Sequence, residues 1–449
     1  MTSGSDTAGE GPDLRSFIEV LRRAEAVYEI HREVDLDGEL GAVLRACEQA
    51  GRAALFHRVR GFAMPVIGSA LGSRQRVALA LGCQESEVFD RVRQAPSNPI
   101  RPEVLEDSAP SQEMQQDQVD LTRLPAPVHA PKDGGRYINA AVVIARDPDS
   151  GRHNLTFIRM QVFGPDQTGF NINPWRDMDE FFRRSEARGQ NLPFCAAIGV
   201  DPILMMAAAF RSPGDEYEIA GALRGTPVPV VRATTCDILV PAFAEIVLEG
   251  EVLSGDRRRE GPMAEFTGHY SGTIDLPVAR FTAVTHRRDP IFQTIAGASA
   301  EHLLLGNALM REPTLDEAVR KISPRVQGVA LPGPGFAAIV AMDRPLPGEA
   351  RSVAIGALSF HVNTKCVIIV DDDIDIDDAG EVFWAVTTRS RWDRDCVVLP
   401  GVMGNRLDPS SDENSVQAKV IIDATLGGNR QTYEKVRYPR VNLSHYVGG

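Results

Sequence analysis

Five runs between residues 137 and 286 constrain this chain more than any other feature. Segments 137–145, 154–163, 228–232, 245–253 and 281–286 are alternating or β-branched and stop at turn residues, which is the pattern of strands. A helical interlude falls at 177–188, acidic early and basic late as a helix dipole favours. Strands spaced in this way favour a closed or split β-barrel over an open parallel sheet. Both flanks read differently. Asp13 is placed as an N-cap before Leu14, Phe17, Ile18 and Leu21, an amphipathic helical spacing, and Leu40, Val43, Leu44 and Cys47 repeat it. Short strands at 53–57 and 65–68 complete a small α/β unit. Beyond the Pro-Gly join at 331–335, a helix through 354–358, a strand at 366–370 and a helix at 379–389 predict a second α/β unit.

The resulting expectation is a mixed α/β (α+β) chain in several parts. Residues 1–12 form a polar leader, 13–120 an N-terminal α/β domain, 121–315 a split-barrel domain and 316–449 a C-terminal α/β domain. The proline-rich stretch 96–132 reads as an extended linker. A net charge of −13 argues against nucleic acid and anionic membrane surfaces as partners. The apolar runs are too short to span a bilayer, and the N-terminus has no signal-peptide pattern, so the cytoplasm is the expected location. Six scattered cysteines show no framework or zinc spacing and read as free thiols.

Chemistry concentrates at Glu260-Gly-Pro-Met-Ala-Glu265. A regular strand would point these two carboxylates to opposite faces, and a regular helix would offset them. Gly261 and Pro262 spoil both periodicities, so a turn can aim both into one pocket, where mutual repulsion separates their pKa values. A solvated loop is the alternative. Asn154, Thr156 and Ile158 share one face of a strand whose other face carries Leu155, Phe157 and Arg159. An arginine there either faces solvent at an edge or holds a carboxylate, of a substrate or of Glu260. Glu216 either starts a helix or offers an oxygen to a hard divalent cation, and the aspartates after the 366–370 strand are either a metal site or an acidic loop. No Gly-x-Ser-x-Gly elbow, Walker loop or dinucleotide fingerprint is present, which weakens hydrolase, ATPase and nicotinamide readings.

Taken in order, these segments resemble the UbiD-type decarboxylases, which use prenylated FMN. The resemblance runs through Asp133-Gly-Gly-Arg-Tyr-Ile, Asn154-x4-Arg159-Met-Gln-Val, Glu216-Tyr-Glu-Ile-Ala-Gly-Ala-Leu-Arg-Gly, Glu260-Gly-Pro-x2-Glu265-x-Thr-Gly, Thr364-Lys365 and Ile422-Asp-Ala-Thr. It implies reversible, non-oxidative decarboxylation of an α,β-unsaturated or (hetero)aromatic acid through a covalent adduct with prenylated FMN. Arg159, Glu260 and Glu265 would form the catalytic network, with Glu265 as proton donor and Arg159 orienting the substrate carboxylate and the flavin. Asn154 and Glu216 would ligate a divalent cation (Mn2+ or Mg2+, with K+ a further candidate), and Lys365 would meet the flavin phosphate. The resemblance further implies a flavin prenyltransferase as cofactor supplier and a homo-oligomer, dimer or hexamer, formed through the C-terminal domain. Alternatives are a carboxylase running in reverse and a non-catalytic flavin-binding subunit. The family supplies a third metal ligand, a histidine, near the position that Trp175 occupies here, and an indole nitrogen only donates. Either Asn173 or water completes the shell, or the metal and cofactor are held differently. The Pro-Met-Ala of the glutamate turn also departs from the family's usual Pro-Phe/Tyr-Gly.

Overall fold

The computed structural model describes residues 12–107, 109–174, 176–210, 214–427, 432–436, 438, 439, 441, 442 and 446. It divides into two compact units, residues 1–313 and 314–449. The expected α/β composition with a curled antiparallel half-barrel is what the chain adopts.

In the first unit, helix Leu14–Arg23 starts where the Asp13 carboxylate accepts from Ser16 N at 2.7 Å and the Ser16 hydroxyl reaches back, a reciprocal cap. Its stripe of Leu14, Phe17, Ile18 and Leu21 is buried. This helix accompanies a four-stranded sheet ordered Val27–Ile30, Ala53–Phe56, Val66–Gly68 and Phe292–Thr294. The last strand arrives from far along the chain and pairs in parallel with Val66–Gly68. That return ties the N-terminal sheet to the end of the barrel within one unit.

The barrel sheet runs in the order Gln167–Gly169, Ile274–His286, Ile246–Glu260, Leu192–Ile198, Val142–Arg146 and His153–Phe157, with Met114–Gln115 added to Ile274–His286. Register shifts on the Ile246–Glu260 strand mark bulges, which bend a sheet and increase its twist. A Cβ at Gly250 would lie 2.4 Å from Arg280 O, so the two long strands approach too closely there for any side chain. The supposed linker is partly paired, since Glu103–Val104 joins Pro229–Arg232 and Met114–Gln115 joins the barrel. The run 154–163 is not one strand. It breaks at Ile158 and Arg159 between His153–Phe157 and Met160–Gln161, because the second piece leaves the barrel to pair with Tyr137–Ile138.

The second unit is a five-stranded sheet ordered Val326–Ala330, Ala337–Met342, Cys366–Asp371, Val416–Ala424 and Cys396–Met403, parallel at its centre and antiparallel at both edges. Helices Glu349–Phe360 and Ala379–Arg389 accompany it, the latter capped by Asp378. The aspartates after the central strand serve a structural ion pair: Arg389 reaches Asp371 at 2.9 Å and Asp373 at 2.7 Å. Among the described residues no helix is long and apolar enough to cross a membrane.

Candidate active site

The strand Ile246–Glu260 delivers Glu260 at its last residue, and the chain turns at once. Gly261 adopts φ +96°, open to glycine, and an added Cβ would meet Gly272 O at 2.7 Å. Two distant segments then hold the turn. Gly134 N donates to Pro262 O at 2.6 Å, and the Asp133 carboxylate accepts from Ala264 N at 2.8 Å. Gln161 Oε1 accepts from Gly261 N at 2.9 Å while its amide donates to Gly134 O at 2.7 Å. Residues 260–265 are thereby fixed against the stretch that carries Arg159.

The Arg159 guanidinium lies between the two carboxylates. Its Nη2 donates to Glu260 Oε2 at 2.8 Å, and its Nη1 pairs with Glu265 Oε1. Arg159 is partly buried and both carboxylates are buried, but unequally: the Glu260 side chain is 1 % exposed and that of Glu265 10 %. The second Glu260 oxygen and Arg159 Nε make no hydrogen bond among the described residues. The Tyr137 hydroxyl hydrogen-bonds Gln161 at 3.2 Å, and burial together with the Glu260 charge pushes its pKa up. Partly buried His302, on helix Ala300–Leu303, packs edge-on to Phe266 with ring centroids 6.3 Å apart. Burial and then the Arg159 charge lower its pKa to about 4, so it is neutral at pH 7.

A second cluster lies on the same chain segment. Asp215 caps helix Glu216–Arg224 by accepting from Tyr217 N at 2.9 Å, so the acidic pair does start a helix. Glu216 itself is turned inward and 1 % exposed. It accepts from Leu155 N at 2.9 Å and from the Asn154 amide at 3.3 Å. Burial raises its pKa to about 8, against those hydrogen bonds and the nearby Arg152 charge.

Models of three successive domains of 3-octaprenyl-4-hydroxybenzoate carboxy-lyase match the chain: the N-terminal domain at 18–95, the Rift-related domain at 103–299 and the C-terminal domain at 305–424. The chain belongs to the UbiD family. Anhydromevalonate phosphate decarboxylase of Methanothermobacter thermautotrophicus is 33% identical over 417 residues, 92% of this chain and 96% of the relative. Phenolic acid decarboxylase of Bacillus subtilis is 33% identical over 443 residues, covering 92% of each chain. The UbiD-class enzyme HmfF from Pelotomaculum thermopropionicum, solved with FMN, superposes with a TM-score of 0.93 at 38% identity, covering 97% of this chain and 100% of that one. An evolved dimeric form of it with prFMN gives 0.88 at 36% identity, with the same coverage. UbiD enzymes of this kind are carboxy-lyases, and so is this chain.

Three expected UbiD positions remain: Lys365, Trp175 and Asn173. Lys365 lies in the second unit, where its ammonium pairs with Asp408 at 2.8 Å and contacts Ser410. Trp175 falls outside the described residues, and Asn173 is exposed. Among the described residues the His, Cys, Asp and Glu groupings able to hold a metal are Glu29–His31–His57 and Cys195–Cys236–Glu249, neither of which includes Glu216. Asn154 and Glu216 nevertheless suit a hard cation. They are oxygen donors, one a buried carboxylate whose hydrogen bonds come from neutral amides. Asp133, Gln161, Tyr137 and His302 were not singled out from sequence. The first three lie in motifs that carry the resemblance or directly beside Arg159, which was the available signal; His302 had none.

Proposed function

We propose that this UbiD-family chain decarboxylates an α,β-unsaturated or (hetero)aromatic carboxylic acid with prenylated FMN bound in the first unit. The observation that carries the reading is the Arg159 guanidinium shared by two buried carboxylates of unequal exposure. When bound, the flavin supplies an electron sink for the carbon that loses carbon dioxide. The chain's own residues do the rest. A substrate carboxylate competes with Glu265 for Arg159 Nη1, because a planar guanidinium takes a carboxylate in a fixed fork. Glu265, displaced from its cation and facing Glu260, then binds a proton more readily. It delivers that proton to the substrate carbon as carbon dioxide departs. Glu260, the deeper carboxylate, keeps the guanidinium in place throughout.

Asn154 and Glu216 would hold a divalent cation, Mn2+ or Mg2+, that anchors the flavin phosphate. Support comes from the buried Glu216 carboxylate, which a cation would neutralise. Relatives named as phenolic acid and anhydromevalonate phosphate decarboxylases support a substrate panel that includes both aromatic and aliphatic unsaturated acids. A homodimer is the expected assembly. The second unit presents Phe383, Trp392 and Met403 at 67%, 65% and 66% exposure, an apolar set of the kind buried between subunits.

The test is purification after co-expression with a flavin prenyltransferase. Absorbance and mass spectrometry are expected to show the modified flavin, and a panel of phenolic and aliphatic unsaturated acids to yield carbon dioxide. A protein that retains no flavin under these conditions refutes the reading. Product analysis at high bicarbonate separates decarboxylation from the reverse carboxylation.

A further inference from the structure

Two cysteines far apart in sequence meet beside the barrel. Cys195 is fully buried on the strand Leu192–Ile198. Cys236 is partly buried in the loop between the strands Pro229–Arg232 and Leu239–Pro241, with Thr234, Thr235 and Asp237 exposed around it. Their sulfurs are 3.6 Å apart. The Glu249 carboxylate, register partner of Cys195 on the neighbouring strand, lies within 4.8 Å of both.

That carboxylate is already occupied. One oxygen accepts from Thr234 N and Thr234 Oγ1, both at 2.8 Å, and the other from Thr235 N at 2.7 Å and Thr235 Oγ1 at 2.6 Å. A metal ion would have to compete with two hydrogen bonds at whichever oxygen it used. The effect of those bonds is to pin the two residues preceding Cys236, and so to hold its sulfur against Cys195. We propose that Cys195 and Cys236 form a reversible disulfide site, and that closing it transmits strain to the Asn154–Glu216 cluster.

The chemistry balances with hydrogen peroxide as oxidant. The Cys236 sulfur, as thiolate, attacks one peroxide oxygen, the O–O bond breaks, and the released hydroxide takes a proton to leave as water. The Cys195 sulfur then attacks the resulting sulfenic acid, the S–S bond forms, the S–O bond breaks, and the Cys195 proton leaves in a second water. Two thiols and one peroxide give one disulfide and two waters. The assignment of Cys236 as the attacking thiol follows its partial exposure. It also agrees with a hydrogen bond from Cys195 that lowers the Cys236 pKa, whereas burial pushes that of Cys195 up.

Bond formation between the sulfurs, 3.6 Å apart in the reduced protein, acts on the loop that carries Cys236. The loop's far end is tied to the cation cluster. Leu239 N donates to His153 Nε2 at 3.3 Å, and the Tyr217 hydroxyl donates to Leu239 O at 2.8 Å. His153 adjoins Asn154, and Tyr217 adjoins Glu216.

The test treats the full chain with hydrogen peroxide, alkylates it and digests it without reduction. Mass spectrometry is expected to find the 195 and 236 peptides joined and lighter by two hydrogens. Dithiothreitol should restore both, with Cys47, Cys83, Cys366 and Cys396 still alkylated. Hydrogen exchange in the peptide spanning 153–155 is expected to change on oxidation, and not in C236S, which replaces a single atom in a loop and cannot close the bond. Sulfinic acid at Cys236 without the cross-link, or both thiols left alkylatable, would overturn the site. A cross-link whose exchange change stops at residues 233–239 would overturn the coupling.

Discussion

Asn154 and Arg159 lie a few residues apart on one stretch of chain, yet the buried charges at the two positions are balanced in opposite ways. Around Arg159, a cation and two carboxylates satisfy one another inside the protein. Around Asn154, the Glu216 carboxylate is as deeply buried but receives only neutral amide donors. Burial of a lone carboxylate is unfavourable, whereas an ion pair with good hydrogen bonds offsets much of its desolvation. The first cluster is therefore internally paired, although one Glu260 oxygen and Arg159 Nε stay without hydrogen bonds, and on the proposed reading a substrate carboxylate competes to enter it. On the same reading, a cation completes the second. The first arrangement is then preorganised for chemistry and the second serves binding.

The largest effect is expected where the preorganised cluster does chemistry. Glu265→Gln keeps the size and a hydrogen-bond acceptor for Arg159 but cannot supply the proton, so turnover should fall by about 10²–10⁴-fold while flavin retention stays at the wild-type level. Decarboxylation at the wild-type rate would show that Glu265 is not the acid. Arg159→Met should break the same cluster structurally. It leaves Glu260 and Glu265 buried together without a cation, at a cost of about 3–5 kcal/mol in a urea melt of the flavin-free protein. An unchanged midpoint would mean that the triad is not balanced by its own charges.

Much of the fold was legible because its signals are local. Helix Ala379–Arg389 has its aspartate cap and strand Cys366–Asp371 its apolar run, each within a few residues. The turn between Glu260 and Glu265 was legible for the same reason, since glycine and proline announce a break wherever they stand. Long-range partners were not. The return of Phe292–Thr294 to the N-terminal sheet depends on register between segments far apart in the chain. The clamping of that turn by Asp133 and Gln161 runs through backbone groups, which no pattern of side chains advertises. The break at Arg159 was missed because the residues around it alternate as a strand should, while the tertiary pairing of Met160–Gln161 pulls them elsewhere. His302 reaches the neighbourhood of Arg159 only through the folded path of its helix.

A third buried carboxylate sharpens the comparison through pH. Glu301 is fully buried near Arg76 and Glu48, accepts from Leu71 N at 2.7 Å, and has one oxygen without a hydrogen bond. Burial raises its pKa from 4.5 to about 7. The folded protein therefore keeps a proton that the unfolded chain releases across that window, and stability should fall as pH rises through it, by up to about 3 kcal/mol. Glu301→Gln, neutral at every pH, should flatten that part of the stability curve measured by urea unfolding at pH 5, 6, 7 and 8. An equally steep fall in the variant would place the dependence in other groups.

The smallest effect on stability is expected at the cluster proposed to hold a cation, and it separates the two regions most cleanly. Glu216→Gln keeps a carbonyl oxygen to accept from Leu155 N while removing the acid that can ionise against a cation. In the flavin-free protein it should leave the urea midpoint at or slightly above that of the wild type, within about 1 kcal/mol, because no internal cation is left unpaired. Manganese affinity, read by calorimetry, should nonetheless drop by about 10–100-fold, since a neutral amide is a poorer oxygen ligand than a carboxylate. The same neutral swap at Glu260 should do the reverse, lowering the midpoint and sparing the metal, because Arg159 loses the carboxylate that holds it. If the two glutamines behaved alike, the opposite balance of charge at the two ends of this segment would not be what distinguishes them.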